Sequence, residues 1–103
     1  HPSAIWTRES IANYIWLHSL FQNLCDEYTH RYGKVHYTDS LLRDLLRTPP
    51  VNIEEKSLTK IPQAMPDDVK GDDSILAYRN YYIKYKKDFA KWTNRETPTW
   101  MMT

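Results

Sequence analysis

Residues Ser10–Gly33 read SIANYIWLHSLFQNLCDEYTHRYG, and the pattern of this stretch decides the fold. Ile11, Tyr14, Leu17, Leu20, Phe21, Leu24, Cys25 and Tyr28 recur at the spacing that lines one face of an α-helix. No Pro or Gly interrupts the run, and Gly33 stands where a helix stop belongs, because Gly accepts the left-handed conformation of a C-terminal cap. The stretch therefore predicts a long helix over Ser10–Tyr32. Before it, Pro2 and Ser3 suit the start of a short turn or helix, with Ser3 as N-cap.

Beyond Gly33, TDSLLRDLLR (Thr38–Arg47) predicts a short helix, capped by Thr38 or Asp39 and ended by Pro49 and Pro50, which lack the N–H that continues a helical ladder. A third helix is expected over Asp73–Trp92, where Ile75, Tyr78, Tyr82, Tyr85, Phe89 and Trp92 form an aromatic stripe and Asp72 and Asp73 suit the N-terminus. Between them, Val51–Asp73 has no period. It carries six acidic residues against three Lys, and is expected to wrap the body through Val51, Ile53, Leu58, Ile61 and Met65. A helical turn is possible there at Pro66–Val69. The expected architecture is all-α: two long antiparallel helices, paired by burial of the stripes led by Leu17, Phe21 and Leu24 and by Tyr82, Tyr85 and Phe89, with a short helix and a long wrapped loop, within one domain over 1–103. Trp100 and Met101 make an apolar tail, expected to fold back or to meet a partner.

Composition bounds the function. The 103 residues carry a net charge of +1, which gives no strong global pull on nucleic acid or on an anionic membrane. One Cys excludes an internal disulfide and fits a reducing compartment. No run reaches the length of a membrane span, so a soluble, cytoplasmic protein is expected. The chain opens on His1 rather than Met, which reads as the C-terminal part of a longer protein. No Gly-rich phosphate loop, G-x-S-x-G elbow or H-E-x-x-H pair is present, and no cofactor is implied.

Four groups of residues carry chemistry. Cys25, Asp26, Glu27, His30, Arg31 and His36 crowd the end of the first long helix. Metal binding is poorly served, since Cys25 and His30 are five residues apart and point about 140° from each other on a helix. Glu27 and His30 share a face and are the catalytic candidates as a carboxylate–histidine pair; the bland alternative is a solvated helix end with surface ion pairs such as Glu27–Arg31. Cys25 falls on the apolar stripe and reads as a small hydrophobe. His1, Trp6, Arg8 and Glu9 lie close together in sequence, the chemistry of a site that stacks an aromatic ligand and grips its anion, though also a common way to start a helix; Trp6, Arg8 and Arg31 are the pocket candidates. Lys84, Lys87, Lys91 and Arg95 fall on one side of the third helix, opposite its aromatics, as a stripe that can track phosphates. From Ser74 to Arg95 there are six Lys/Arg and one Asp, and the alternative to a nucleic-acid face is a landing place for the acidic loop of the same chain.

Three stretches together, HPSAIWTRESIANYIWLHSLFQNLCDEYTHRYGKVH, PQAMPDD and AYRNYYIKYKKDFAKWTNRETPTW, resemble an uncharacterised family encoded by marine T-even-like phages, cyanophages above all, and found in ocean metagenomes. The resemblance spans nearly the whole chain. It implies a phage protein in an infected bacterial host, preceded in longer members by a segment with an H-x-D-K-H-like motif. That family in turn faintly resembles the helical pyrimidine-dimer DNA glycosylases of phages, whose chemistry uses the mature N-terminal amine and a carboxylate. No equivalent N-terminus exists here, so no catalytic residue carries over. Two functions follow as expectations: part of a base-excision or base-modifying enzyme with DNA as partner, or a non-catalytic protein-interaction module, possible as a homo-oligomer.

Overall fold

The computed structural model describes residues His1–Met102, and their regular structure is entirely helical. The chain divides into two compact units, His1–Thr59 and Lys60–Thr103.

The first unit is built on the predicted long helix. Helix α1 spans Pro2–Glu9 and α2 spans Ile11–Tyr32. Pro2 begins α1, where its missing N–H costs nothing. The cap is the His1 side chain, which accepts from the Ser3 N–H, so Ser3 is not the cap its residue type suggested. Ser10 breaks the two helices with an extended backbone, and its hydroxyl accepts from the Asn13 N–H to cap α2. Gly33 ends α2 in the left-handed region at φ 68°, as its position predicted.

A buried polar residue locks this corner. Asn13 is fully buried and meets all its needs locally: Nδ2 donates to the Trp6 carbonyl (2.9 Å) and to Thr59 Oγ1 (2.9 Å), and Oδ1 accepts from the Thr59 N–H (3.0 Å). It thus ties together α1, α2 and the returning strap, residues 46–59. The strap also lies along α2 through Ile11 N–H to Glu54 carbonyl (2.9 Å) and Tyr14 hydroxyl to Leu46 carbonyl (2.6 Å). Helix α3 covers Tyr37–Leu42, capped by His36 rather than by Thr38 or Asp39, and a 3-10 turn follows at Leu45–Arg47.

In the second unit, α4 covers Ser74–Tyr81, with the Asp73 carboxylate accepting from the Ile75 and Leu76 N–H groups. The expected helix to Trp92 is not one α-helix. The chain widens into a π-helical segment at Tyr82–Lys86 and ends in turns at 87–89. A π turn places successive side chains differently from an α turn, so the aromatic stripe does not converge on one buried face. Tyr82, Tyr85 and Phe89, expected in the core, are 40%, 42% and 63% exposed. Leu24, expected in the first stripe's core, is likewise exposed.

The irregular segment is tied down by polar bonds more than by its apolar residues. Val51 and Leu58 are exposed, while Ile53 is buried. In the second unit the Gln63 amide closes on Gly71, donating to its carbonyl (2.6 Å) and accepting from its N–H (3.0 Å). The Tyr78 hydroxyl donates to the Pro62 carbonyl (2.8 Å) and accepts from the Ala64 N–H (3.2 Å). The possible turn at Pro66–Val69 is a 3-10 turn at Asp67–Val69. The apolar tail folds back: Met101 is buried, and Trp100 meets Tyr82 and Trp92 edge-on with Arg79 over its ring at 5.4 Å.

Candidate nucleic-acid interface

The Tyr81–Phe89 stretch alternates rings and cations because YYIKYKKDF alternates them in sequence, and the π turn leaves both outside. Tyr81 lies edge-on to Tyr82 (6.2 Å between ring centres) and tilted against Tyr85 (5.8 Å). Lys86 Nζ sits 5.2 Å from the centres of both the Tyr81 and Phe89 rings, and Lys84 Nζ 5.5 Å from that of Tyr85. Lys84, Tyr85 and Phe89 are exposed, while Tyr81 and Lys86 are half-buried. Such a surface offers π-faces to bases and charges to phosphates.

The predicted phosphate stripe is distributed differently. Lys84 belongs to the π segment, Lys87 closes it, and Lys91 and Arg95 lie beyond it, so the four do not share one helix face. Lys87, Lys91 and Arg95 are exposed. Lys84 is ion-paired with Asp68 of the acidic turn, and the Tyr85 hydroxyl donates to the same carboxylate at 2.8–2.9 Å. The Lys84 ammonium, and then the Tyr85 hydroxyl, hold the Asp68 carboxyl below the usual carboxylate range, and Asp68 raises both partners in return. Part of the acidic segment therefore lands on the basic one. The sequence marks Tyr85 only as part of the aromatic stripe and does not mark Asp68 as a site residue; the local excess of acid against base is the available signal.

The other candidates lie in the first unit and do not come together. Trp6 is 5% exposed, its ring edge-on to Trp16 at 5.7 Å, and its indole N–H has no hydrogen-bond partner among the described residues, so it offers no face to a ligand. Arg8 is exposed near the start of α2, whereas Glu27, His30 and Arg31 stand at its far end, about 25 Å along the helix axis. Glu27 accepts from Arg31 Nε at 2.8 Å, the expected i, i+4 pair, and His30 is exposed. Arg43 grips Asp39 with a two-pronged contact (2.5 and 3.1 Å) and reaches Asp26 at 2.7 Å, which pins α3 to α2. Its hydrogen bonds hold the Asp39 carboxyl below the usual range. Cys25 is buried, and burial, then the Asp39 charge, pushes its thiol up, the reverse of what a nucleophile needs.

Among the described residues, no group of three or more His, Cys, Asp or Glu side chains is set to hold a metal ion, and no helix is long and apolar enough to cross a membrane. Comparison with known protein families, curated proteins and solved structures gives no match.

Proposed function

We propose that this protein binds single-stranded nucleic acid through the ring-and-cation surface of its second unit. The observation that carries the reading is the exposure of Tyr82, Tyr85 and Phe89, with Lys84 over the Tyr85 ring and Lys86 over the Phe89 ring. Rings left in water between cations gain by stacking on bases, at about 1–3 kcal/mol per base, while the cations exchange counterions for phosphates. A duplex hides the faces of its bases, so single strands are the favoured class. The resemblance to marine phage proteins implies DNA as the partner, with no preference for single strands. In its more specific form, a part in base excision or base modification, Glu27 and His30 are the residues that would carry the chemistry.

Fluorescence anisotropy tests the reading. A labelled thymidine oligonucleotide should bind at protein concentrations on the order of micromolar at low salt, and binding should fall steeply as salt rises. The same strand in duplex form should bind more weakly. Replacing Lys84, Lys87 and Lys91 together by Ala should reduce the salt dependence. Absence of binding at low salt, or indifference to the triple change, would count against the reading.

A second reading is favoured by one observation in the first unit. Ala12, Ile15, Trp16, Leu20 and Leu58 line an open, mainly apolar groove of about 540 Å³ along α2. As an interaction module the chain would pair with a second copy there rather than through Trp100, which packs within its own unit. Sedimentation over a range of concentrations separates the two readings, since a monomer throughout sinks the homo-oligomer.

A further inference from the structure

Asp68 sits against the Lys84–Tyr85 pair as a ligand anion would. Both of its carboxylate oxygens accept from the Tyr85 hydroxyl, at 2.9 and 2.8 Å, and Oδ2 also takes the Lys84 ammonium. A phosphodiester presents the same chemistry, two equivalent non-bridging oxygens sharing one negative charge. The neighbouring Asp67 carries the same charge in the same turn but faces Lys70, at 2.9 Å. The contact to Lys84 is also exchangeable. The Lys84 and Asp68 side chains are 57% and 40% exposed, and ion pairs open to water contribute little net stability.

We propose that Lys84 and Tyr85 form a phosphodiester subsite that the chain fills with its own Asp68, so that the Asp67–Val69 turn competes with single-stranded nucleic acid for the site. The proposal rests on the binding reading above. An incoming phosphate takes over the Tyr85 hydroxyl and the Lys84 ammonium, and the Asp68 carboxylate returns to water. An isolated small anion gains nothing over the resident carboxylate. A strand that also stacks on Tyr82 and Phe89 brings enough added interaction to displace it. The competition thus favours extended strands over free phosphate.

The test compares Asp68→Asn with Asp67→Asn in the full chain, using anisotropy with a labelled thymidine oligonucleotide and circular dichroism to confirm the helical fold. Both variants remove one negative charge from the same turn, but only the first empties the subsite. Asp68→Asn should bind about three- to tenfold more tightly than the wild type, and Asp67→Asn within about twofold of it. The gain should vanish when Lys84→Ala is added. Asp68→Ser should repeat the gain without an amide that could form new bonds. Equal tightening by Asp67→Asn would reduce the effect to general charge and overturn the competition. Wild-type binding with Asp68→Asn no tighter would overturn the competition and leave the binding reading standing. No binding by the wild type or by Asp68→Asn would overturn both.

Discussion

The two units spend their polar chemistry in opposite ways. In the first, Ser10 and Asn13 are fully buried and every bond they make is internal, so polarity serves to fix where α1, α2 and the strap meet. In the second, Lys84, Tyr85 and Asp68 meet at the surface, where water competes with each contact. A buried amide with all its partners is costly to disturb, whereas an exposed ion pair is easily exchanged. The corner at Ser10 and Asn13 is built for rigidity and the Asp68–Lys84 contact for exchange, and this is why the binding proposal falls on the second unit.

The largest effect is expected from Asn13→Ala. It strands the Trp6 carbonyl and the Thr59 N–H, and should destabilise the fold by about 2–4 kcal/mol in denaturant unfolding. A loss below about 1 kcal/mol would mean that the corner is not the lock described. The matching change in the second unit is Tyr82→Ala with Phe89→Ala. Oligonucleotide affinity should drop at least about tenfold with the salt slope unaltered, because stacking is lost and charge is kept. Unfolding free energy should move far less than for Asn13→Ala.

Gly33→Ala should cost about 1 kcal/mol by the same unfolding assay, since φ of 68° is strained for any residue with a Cβ. No change would imply that the end of α2 rearranges freely. The smallest expected effect is in pH. Arg43 holds Asp39 below its ordinary value, so the stability Asp39 contributes is present above about pH 4 and is lost as pH falls through its depressed folded value. Asp39→Asn should therefore flatten the acid limb of the stability profile and leave its neutral-to-alkaline shape unchanged. An unaltered acid limb would contradict the assignment.

The first unit was the more legible of the two. Gly33 reads correctly as the end of α2 because its cap is a local event, decided by the residue's own φ, whereas Ser10 reads as the first helical residue and is the N-cap. Cys25 read correctly as buried because it falls on the apolar stripe. Asn13 was not readable, because a polar residue on a helix ordinarily faces water and its partners Trp6 and Thr59 are set by tertiary folding. In the second unit the aromatic spacing was read at the α-helical period, and the widening at Tyr82–Lys86 displaced that reading. Tyr82, Tyr85 and Phe89 moved from expected core to surface, which turned a packing motif into a candidate stacking one. The meeting of acid and base is foreseeable as charge balance, while its restriction to Asp68, Lys84 and Tyr85 depends on how the Asp67–Val69 turn folds.

The most direct test of the central claim is a titration of the ¹⁵N-labelled protein with a thymidine oligonucleotide, followed by backbone amide chemical shifts. The account predicts shifts concentrated at Tyr81–Lys91, with a second set at Asp67–Val69 as Asp68 is released, while the amides around Ser10 and Asn13 stay still. Shifts centred on α2, or none at oligonucleotide excess under low salt, would contradict it.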